Sequence, residues 1–412
     1  MLNIRIIYIC CLILTFASCK MKDEITCYGG SDSDLVQLLE KEGYTLKFYP
    51  SVSEALQNAP EKSGVLLLSD SYPVKGTSIS QEDESLIEAK SLRVLVEFPQ
   101  RIGTTDSSKS DTLNLERIVV CDSINTELPF MSLLSFNRCI LKETSDSINH
   151  PILVAAKVAG FDKAVYGLKD TETRPVLYYR TPHLLVSTTC ISHFASDRYM
   201  PEQKIKSLYE YIFRWLLSKN TVTFSSWITY ITPSYTPSDV LPENAGYESI
   251  KKGIEWFYNG HFLVNSEWKQ NWVDKYMGDG TMPIGPSIPD QFQNGDGSLG
   301  VLEGHMSEIR YDGSQLYRYW MRADVQGEAS YAFAAAGDLL ENNEYSKVAT
   351  NLIDYSFKEY RDSERNDPAS PSYGLLGWAY THKGTYYGDD NARFLLGVIA
   401  SSALLNDTEW DK

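Results

Sequence analysis

The sequence predicts two parts: an α/β layered domain followed by an all-α array of helical hairpins. Three observations carry that division. Up to about residue 217, continuous aliphatic runs such as VLLL (Val65–Leu68) and ILVA (Ile152–Ala155) alternate with helical segments. Strands apolar on both faces belong to a sheet covered on both sides. A stretch rich in Ser, Thr and Pro, Ser218–Asn244, then breaks the pattern. Beyond it, strongly apolar helices alternate with amphipathic ones, as inner and outer layers do in a stacked hairpin array.

The first nineteen residues stand apart from the fold. Arg5 precedes an apolar run, Ile6–Phe16, too short to span a bilayer as a stable helix. The run ends in Phe16-Ala17-Ser18-Cys19, which resembles the lipobox of bacterial lipoproteins. That resemblance implies a cleaved signal peptide (1–19) and acylation of Cys19. A soluble body would then be held to a membrane of the cell envelope by acyl chains.

In the segment 20–220 the expected strands are Thr45–Phe48, Gly64–Leu68, Arg93–Phe98, Arg117–Cys121, Ile152–Ala155, Ala164–Tyr166, Val176–Tyr179 and Leu184–Ser187. The expected helices are Ser33–Glu42, Gln81–Lys90 and Glu202–Leu217. The order resembles a flavodoxin-like or glutamine-amidotransferase-like layered domain. Class I amidotransferases place a nucleophilic cysteine on a strand-to-helix turn, with a histidine downstream. Here Leu66-Leu67-Leu68 is followed by Ser69-Asp70-Ser71, with no cysteine. Cys190 in STTCISHF has His193 three residues on, but no glycine elbow surrounds it, so a structural cysteine is expected. The module is therefore expected to be non-catalytic and to serve packing or positioning.

Residues 221–243 read as a linker, and helices dominate from 244 to 412. Tyr247, Ile250, Ile254 and Phe257 mark the first; Trp268, Trp272 and Tyr276 mark a short second, with Ser266 as its cap. The third, Val325–Leu340, is apolar nearly all round and is expected to be buried, with Asp324 at its N-cap and Glu328 one turn on. Tyr345–Tyr360 is amphipathic, and Ala392–Leu405 is apolar and small, preceded by Asp389 and Asp390. Two long loops, Gly278–Ala323 and Arg361–Gly388, each run from an outer helix into an inner one and are expected to share one cleft.

Composition narrows the function. A net charge of −16 leaves nothing to neutralise phosphates and excludes nucleic acid as a partner. The 27 Tyr and 8 Trp suit stacking on sugar rings as well as ordinary cores. Neither a dinucleotide fingerprint nor a P-loop occurs, and no cysteine or histidine spacing suits a metal, so neither metal nor cofactor is expected. Cys27, Cys121, Cys139 and Cys190 are expected to be free thiols.

The segments IRYDGSQLYRYWMRADVQGE and GWAYTHKGTYYGDDNARFLLG, with the preceding α/β domain, resemble the six-hairpin (α/α)6-toroid glycoside hydrolases. The nearest group is the lipoproteins described as β-glucuronidase-like. A toroid needs roughly twelve helices to close. With five in residues 244–412, the resemblance implies a toroid left incomplete within this chain. It also implies an oligo- or polysaccharide substrate and two carboxyl groups flanking the scissile bond.

Of the carboxylates on the expected cleft, Asp324 is the first catalytic candidate, because a helix start fixes its position; Glu303 and Asp390 follow. Glu308, Asp312, Glu328 and Asp389 complete the set, with helix capping or solvated loop charge as the ordinary alternative for each. Trp320, Trp378, Tyr386 and Tyr387 are expected to stack on substrate. His305, Arg322 and His382, with Arg310 and Lys383, are expected to make polar contacts. Arg322 either grips a uronate carboxylate or pairs with Asp324. Two other readings stay open: a polysaccharide lyase using His305 with Tyr311 or His382 with Tyr386, and a non-catalytic sugar-binding or scaffold lipoprotein.

Overall fold

A computed structural model describes residues 24–107, 109–144, 148–360 and 367–411; the leader and Cys19 lie outside them. The protein is mixed α/β and is built on one large mixed sheet. It forms two compact units, divided after Thr232, with Ile309–Gly313 grouped with the first.

The sheet of the first unit comprises β1 (Glu24–Tyr28), β2 (Thr45–Phe48), β3 (Gly64–Leu67), β4 (Arg93–Glu97), β5 (Arg117–Val120), β6 (Leu133–Leu134), β7 (Leu153–Ala156), β8 (Thr173–Thr181) and β9 (Leu184–Ser187). Their order is β6-β5-β7-β8-β9-β4-β3-β1-β2. Strands β9, β4, β3, β1 and β2 are parallel, and β5 to β8 extend the sheet antiparallel. Helices α1 (Asp34–Lys41) and α4 (Glu202–Leu216) cover one face; α2 (Val52–Asn58) and α3 (Gln81–Ala89) cover the other.

The period-2 alternation of strands sorts the core. Leu66, Leu95 and Leu185 pack with α1 and α4, while Val65, Leu67, Val94, Val96 and Val186 pack with α2 and α3. Serine hydroxyls start three helices: Ser33 accepts from Val36 N, Ser51 from Glu54 N, and Ser80 forms a capping box with Asp83. Val222, Phe224, Trp227 and Ile228 are buried against the same core.

Of the elements named so far, β1, β6 and α2 have no counterpart among the expected ones, being five, two and seven residues long. The expected strand Ala164–Tyr166 is a turn. Only Ala164 is buried; Val165 and Tyr166 are 67% and 85% exposed, and Gly160 and Gly167 at positive φ fold the chain back.

The second unit begins with α5 (Ala245–Asn259) and continues through short helices, Ser266–Trp268 and Asp274–Met277, joined by a π-helical turn. The cap here is Asn265, whose side chain accepts from Glu267 N, not Ser266. The loop that follows carries three two-residue strands, β10 (Ile284–Gly285), β11 (Gly304–His305) and β12 (Tyr317–Arg318), with β12 central. Then come α6 (Ala323–Leu339), α7 (Asn343–Glu359) and α8 (Gly388–Leu405).

Helices α6 and α8 meet at two glycines. A Cβ on Gly397 would lie 2.2 Å from the Gly327 carbonyl oxygen, and one on Gly327 would lie 2.7 Å from Phe394 Cα. Below that crossing, Ser330 Oγ donates to Ala349 O and meets Ser401 Oγ at 3.0 Å, so the buried hydroxyls are satisfied.

Neither apolar helix is buried all round. Tyr331 and Leu339 of α6 and Leu395, Leu396 and Ile399 of α8 are exposed. Small residues allow close packing on one face and leave the opposite face to solvent.

Candidate functional site

The first turn of α6 organises a cluster of charge in the second unit. Arg322 is the N-cap, in extended backbone, and Asp324 lies inside the first turn, so the expected capping role of Asp324 is corrected. Its Oδ1 accepts from the adjacent Val325 N at 2.9 Å, and its Oδ2 accepts from Arg322 Nη2 at 2.7 Å. The same Nη2 donates to Asp390 Oδ1, in the first turn of α8, at 2.8 Å. Arg322 Nη1 lies 3.7 Å from Glu303 Oε1, which Arg318 approaches to 3.1 Å. One guanidinium therefore gathers all three first-ranked carboxylates.

Backbone bonds bring the two loops together. Arg322 and Ala379 form an antiparallel bridge, Ala323 N donates to Trp378 O and Tyr380 N donates to Met321 O. Glu303 N donates to Trp320 O, and the buried amide of Gln326 both donates to Val301 O and accepts from Val301 N. These ties hold Glu303 against the start of α6. Tyr360 OH donates to Met321 O from beneath.

Asp324 is 2% exposed and Asp390 4%. Burial raises the Asp324 carboxyl to about 6; Arg322 opposes the rise and the neighbouring Asp390 charge adds to it. The Asp390→Asn change removes a charge that favours the proton on Asp324. The Asp324 titration should then move to lower pH, read by NMR of its carboxyl carbon. Glu303 Oε1 is occupied by arginines, but its Oε2 is buried and has no hydrogen-bond partner among the described residues.

Aromatic rings lie around this cluster. Trp320 and Trp378 meet edge to face at 5.5 Å, and Trp378 also contacts His382 and Tyr387. Arg318 lies over Trp320, and Arg322 lies 5.9 Å from the Trp378 ring. Trp320 Nε1 donates to Gly280 O, which fixes its ring. His382 Nδ1 is 2.9 Å from Thr381 Oγ1. Tyr386 is half-buried two residues before α8, and Lys383 pairs with Glu359 at 3.7 Å.

His305 packs on Tyr317 at 4.3 Å, beside Phe262 and Trp256. Burial lowers its pKa, and its Nδ1 has no partner among the described residues. Between α5 and α6 a cavity of about 580 Å³ opens, walled by Ile250, Ile254, Phe257, Val325 and Ala332, with Glu303 and Glu328 also on its lining. Asp324 and Asp390 do not line it. Arg393, 4.0 Å from Asp324 and 3.9 Å from Glu328, is a cation the sequence reading left out. Its position one turn into α8, beside Asp390, was the available signal.

Other candidates fall elsewhere. Arg310 and Tyr311 belong to the first unit, where the Arg310 carbonyl accepts from Tyr199 OH and Tyr311 packs edge-on to Tyr72 at 4.7 Å. Tyr311 engages His193 as well. Asp389 is exposed in the first turn of α8. Cys19 lies outside the described residues. Among the described residues no cluster of His, Cys, Asp and Glu has the arrangement to hold a metal ion.

In the first unit Cys190 Sγ donates to Glu97 Oε1 at 3.2 Å. Glu97 is fully buried and also accepts from Ser69 N, Ser192 N and Ser192 Oγ. Burial and the Glu97 charge push the Cys190 thiol well above the ordinary range, so it is a poor source of thiolate. Native protein at neutral pH should leave Cys190 unlabelled by iodoacetamide until it is unfolded, as followed by peptide mass spectrometry.

No family model matches the chain, and the searches of curated proteins and of solved structures return no match. The functional reading therefore rests on the geometry of the site.

Proposed function

We propose that the chain is a carbohydrate-active hydrolase that cleaves glycosidic bonds with paired carboxyl groups. The observation that carries this reading is the Asp324–Arg322–Asp390 cluster beside Glu303, with Trp320 and Trp378 alongside. A carboxyl raised to about 6 by burial holds its proton through mildly acidic pH, where an ordinary carboxyl has lost it, and can donate it to a leaving oxygen. Asp324, with Asp390 beside it, is the acid. Glu303, with its free buried oxygen, is the base or nucleophile on the other side of the bond. Trp320 and Trp378 offer aromatic faces for sugar rings.

The chemistry needs neither metal nor cofactor. The wider reading follows the same line: a partial (α/α) hairpin toroid behind a non-catalytic, amidotransferase-like module, anchored to the cell envelope through Cys19. The parallel order β2-β1-β3-β4-β9 supports the module, being the 2-1-3-4-5 order of doubly wound sheets. The layering of α6, α7 and α8 supports the array. A panel of chromogenic glycosides and uronic-acid polysaccharides tests the activity. Release of reducing ends without ultraviolet absorbance marks a hydrolase, whereas absorbance from an unsaturated product marks a lyase. Binding without turnover of any member would leave a sugar-binding protein and end this proposal.

A further inference from the structure

The start of β1 has a consequence for how the first unit meets a membrane, resting on the reading of Cys19 as an acylated residue. Only Lys20, Met21, Lys22 and Asp23 separate Cys19 from Glu24, the first residue of β1. Fully extended, that tether reaches about 17 Å. Glu24 pairs with Thr45 of β2, and because Thr26 stands opposite Val65, Glu24 lies level with Ser63, just before β3. The tether therefore leaves the edge of the sheet where the parallel strands begin.

That edge is well defined. Lys62 N donates to Lys90 O, Arg93 N to Ser63 O, Arg93 Nη2 to Lys62 O and Arg93 Nε to Leu216 O at the end of α4. Lys41 ends α1 and Lys219 follows α4 on the same rim. The carboxylates there are Glu24, Glu40, Glu42, Glu61 and Glu88, the last 3.8 Å from His183. The rim's cations and carboxylates balance, and Lys20 and Lys22 against Asp23 add one positive charge on the tether, so the rim is close to neutral on a chain of net charge −16. It can approach anionic headgroups without the repulsion the rest of the surface would meet. The opposite edge, where Tyr28 and Glu97 end their strands, is about 13 Å further from the anchor at 3.3 Å per strand residue.

We propose that the rim carrying Lys62, Lys90, Arg93 and Lys219 lies against the headgroups of the bilayer that holds Cys19. The strand ends around Glu97 and Cys190 face away from it.

The test couples the chain from Cys19 to Lys412, through the Cys19 thiol, to a maleimide lipid in vesicles of phosphatidylglycerol and phosphatidylcholine. Burial pushes Cys121, the half-buried thiol among the other cysteines, up to about 11, so Cys19 is the thiol that reacts. An amine-reactive label read by mass spectrometry then reports each lysine in vesicle-bound and free protein. Lys62 and Lys219 should be protected severalfold, while Lys163 and Lys169 keep their reactivity. Inserting about twelve Gly and Ser residues after Lys22, adding roughly 20 Å of reach, should restore labelling.

Equal labelling of Lys62 and Lys219 in both states overturns the proposal. So does protection of Lys163, beside the exposed Phe161 and Tyr166, which would put the bilayer on that loop instead. The mass of the N-terminal peptide from native membranes separates the two layers of the inference. Unmodified Cys19 removes the anchor itself, whereas acylated Cys19 with an unprotected rim removes only the orientation.

Discussion

Replacing Asp324 with asparagine should lower kcat by about 10²–10⁴-fold, the usual share of a positioned general acid. Substrate affinity should change little, because Trp320, Trp378 and Arg318 are untouched. The fold should survive, because Asn keeps the size of the side chain and an acceptor for Val325 N. A sign follows from the raised carboxyl. Folded Asp324 titrates near 6, against about 3.9 when unfolded. Between those values the folded state holds a proton that unfolding releases. The group's contribution to stability then falls as pH rises from about 4 to about 6 and is flat above. Asp324→Asn should remove that slope, which melting curves across the same pH range would read. A variant with full turnover, or one that fails to fold at every pH, would speak against the assignment.

The second large effect is structural and reaches the same site. Gly397→Val should push α8 away from α6, since its Cβ would meet the Gly327 carbonyl at 2.2 Å, backbone against backbone. Overpacking of this kind costs about 1–3 kcal/mol. Asp390 rides on the first turn of α8, so the displacement should also break its 2.8 Å bond to Arg322 and lower activity. Gly388→Ala, where an added Cβ meets nothing within 4 Å, is the control and should leave the melting temperature alone. Comparable melting of the two variants would contradict the close-packed crossing.

Much of this was legible from residue order. Continuous aliphatic runs announced β3, β4, β7 and β9, because a strand covered on both faces has no polar side to show. The inward face of α7, from Tyr345 through Ile353 to Tyr360 at its end, followed from helical spacing. The meeting of the two long loops was also readable, since both run into apolar helices.

What escaped were features decided by contact. Ala164–Tyr166 has strand composition, but two positive-φ glycines turn it onto the surface. Asp324 looks like a cap, yet the chain enters α6 two residues earlier, because Arg322 is held by its bridge to Ala379. The exposed faces of α6 and α8 were unreadable from an apolar pattern that runs all round each helix. Small side chains satisfy a close glycine crossing and a solvent face equally well.

The central claim is that Asp324 supplies the proton to the leaving group. The most direct test is the leaving-group dependence of Asp324→Asn on glycosides of one sugar. An alkyl or sugar leaving group needs that proton, whereas a dinitrophenolate departs without it. The variant should lose about 10²–10⁴-fold on the first kind and less than about tenfold on the second. Equal loss on both, or no loss on either, would contradict the role of Asp324 as the acid.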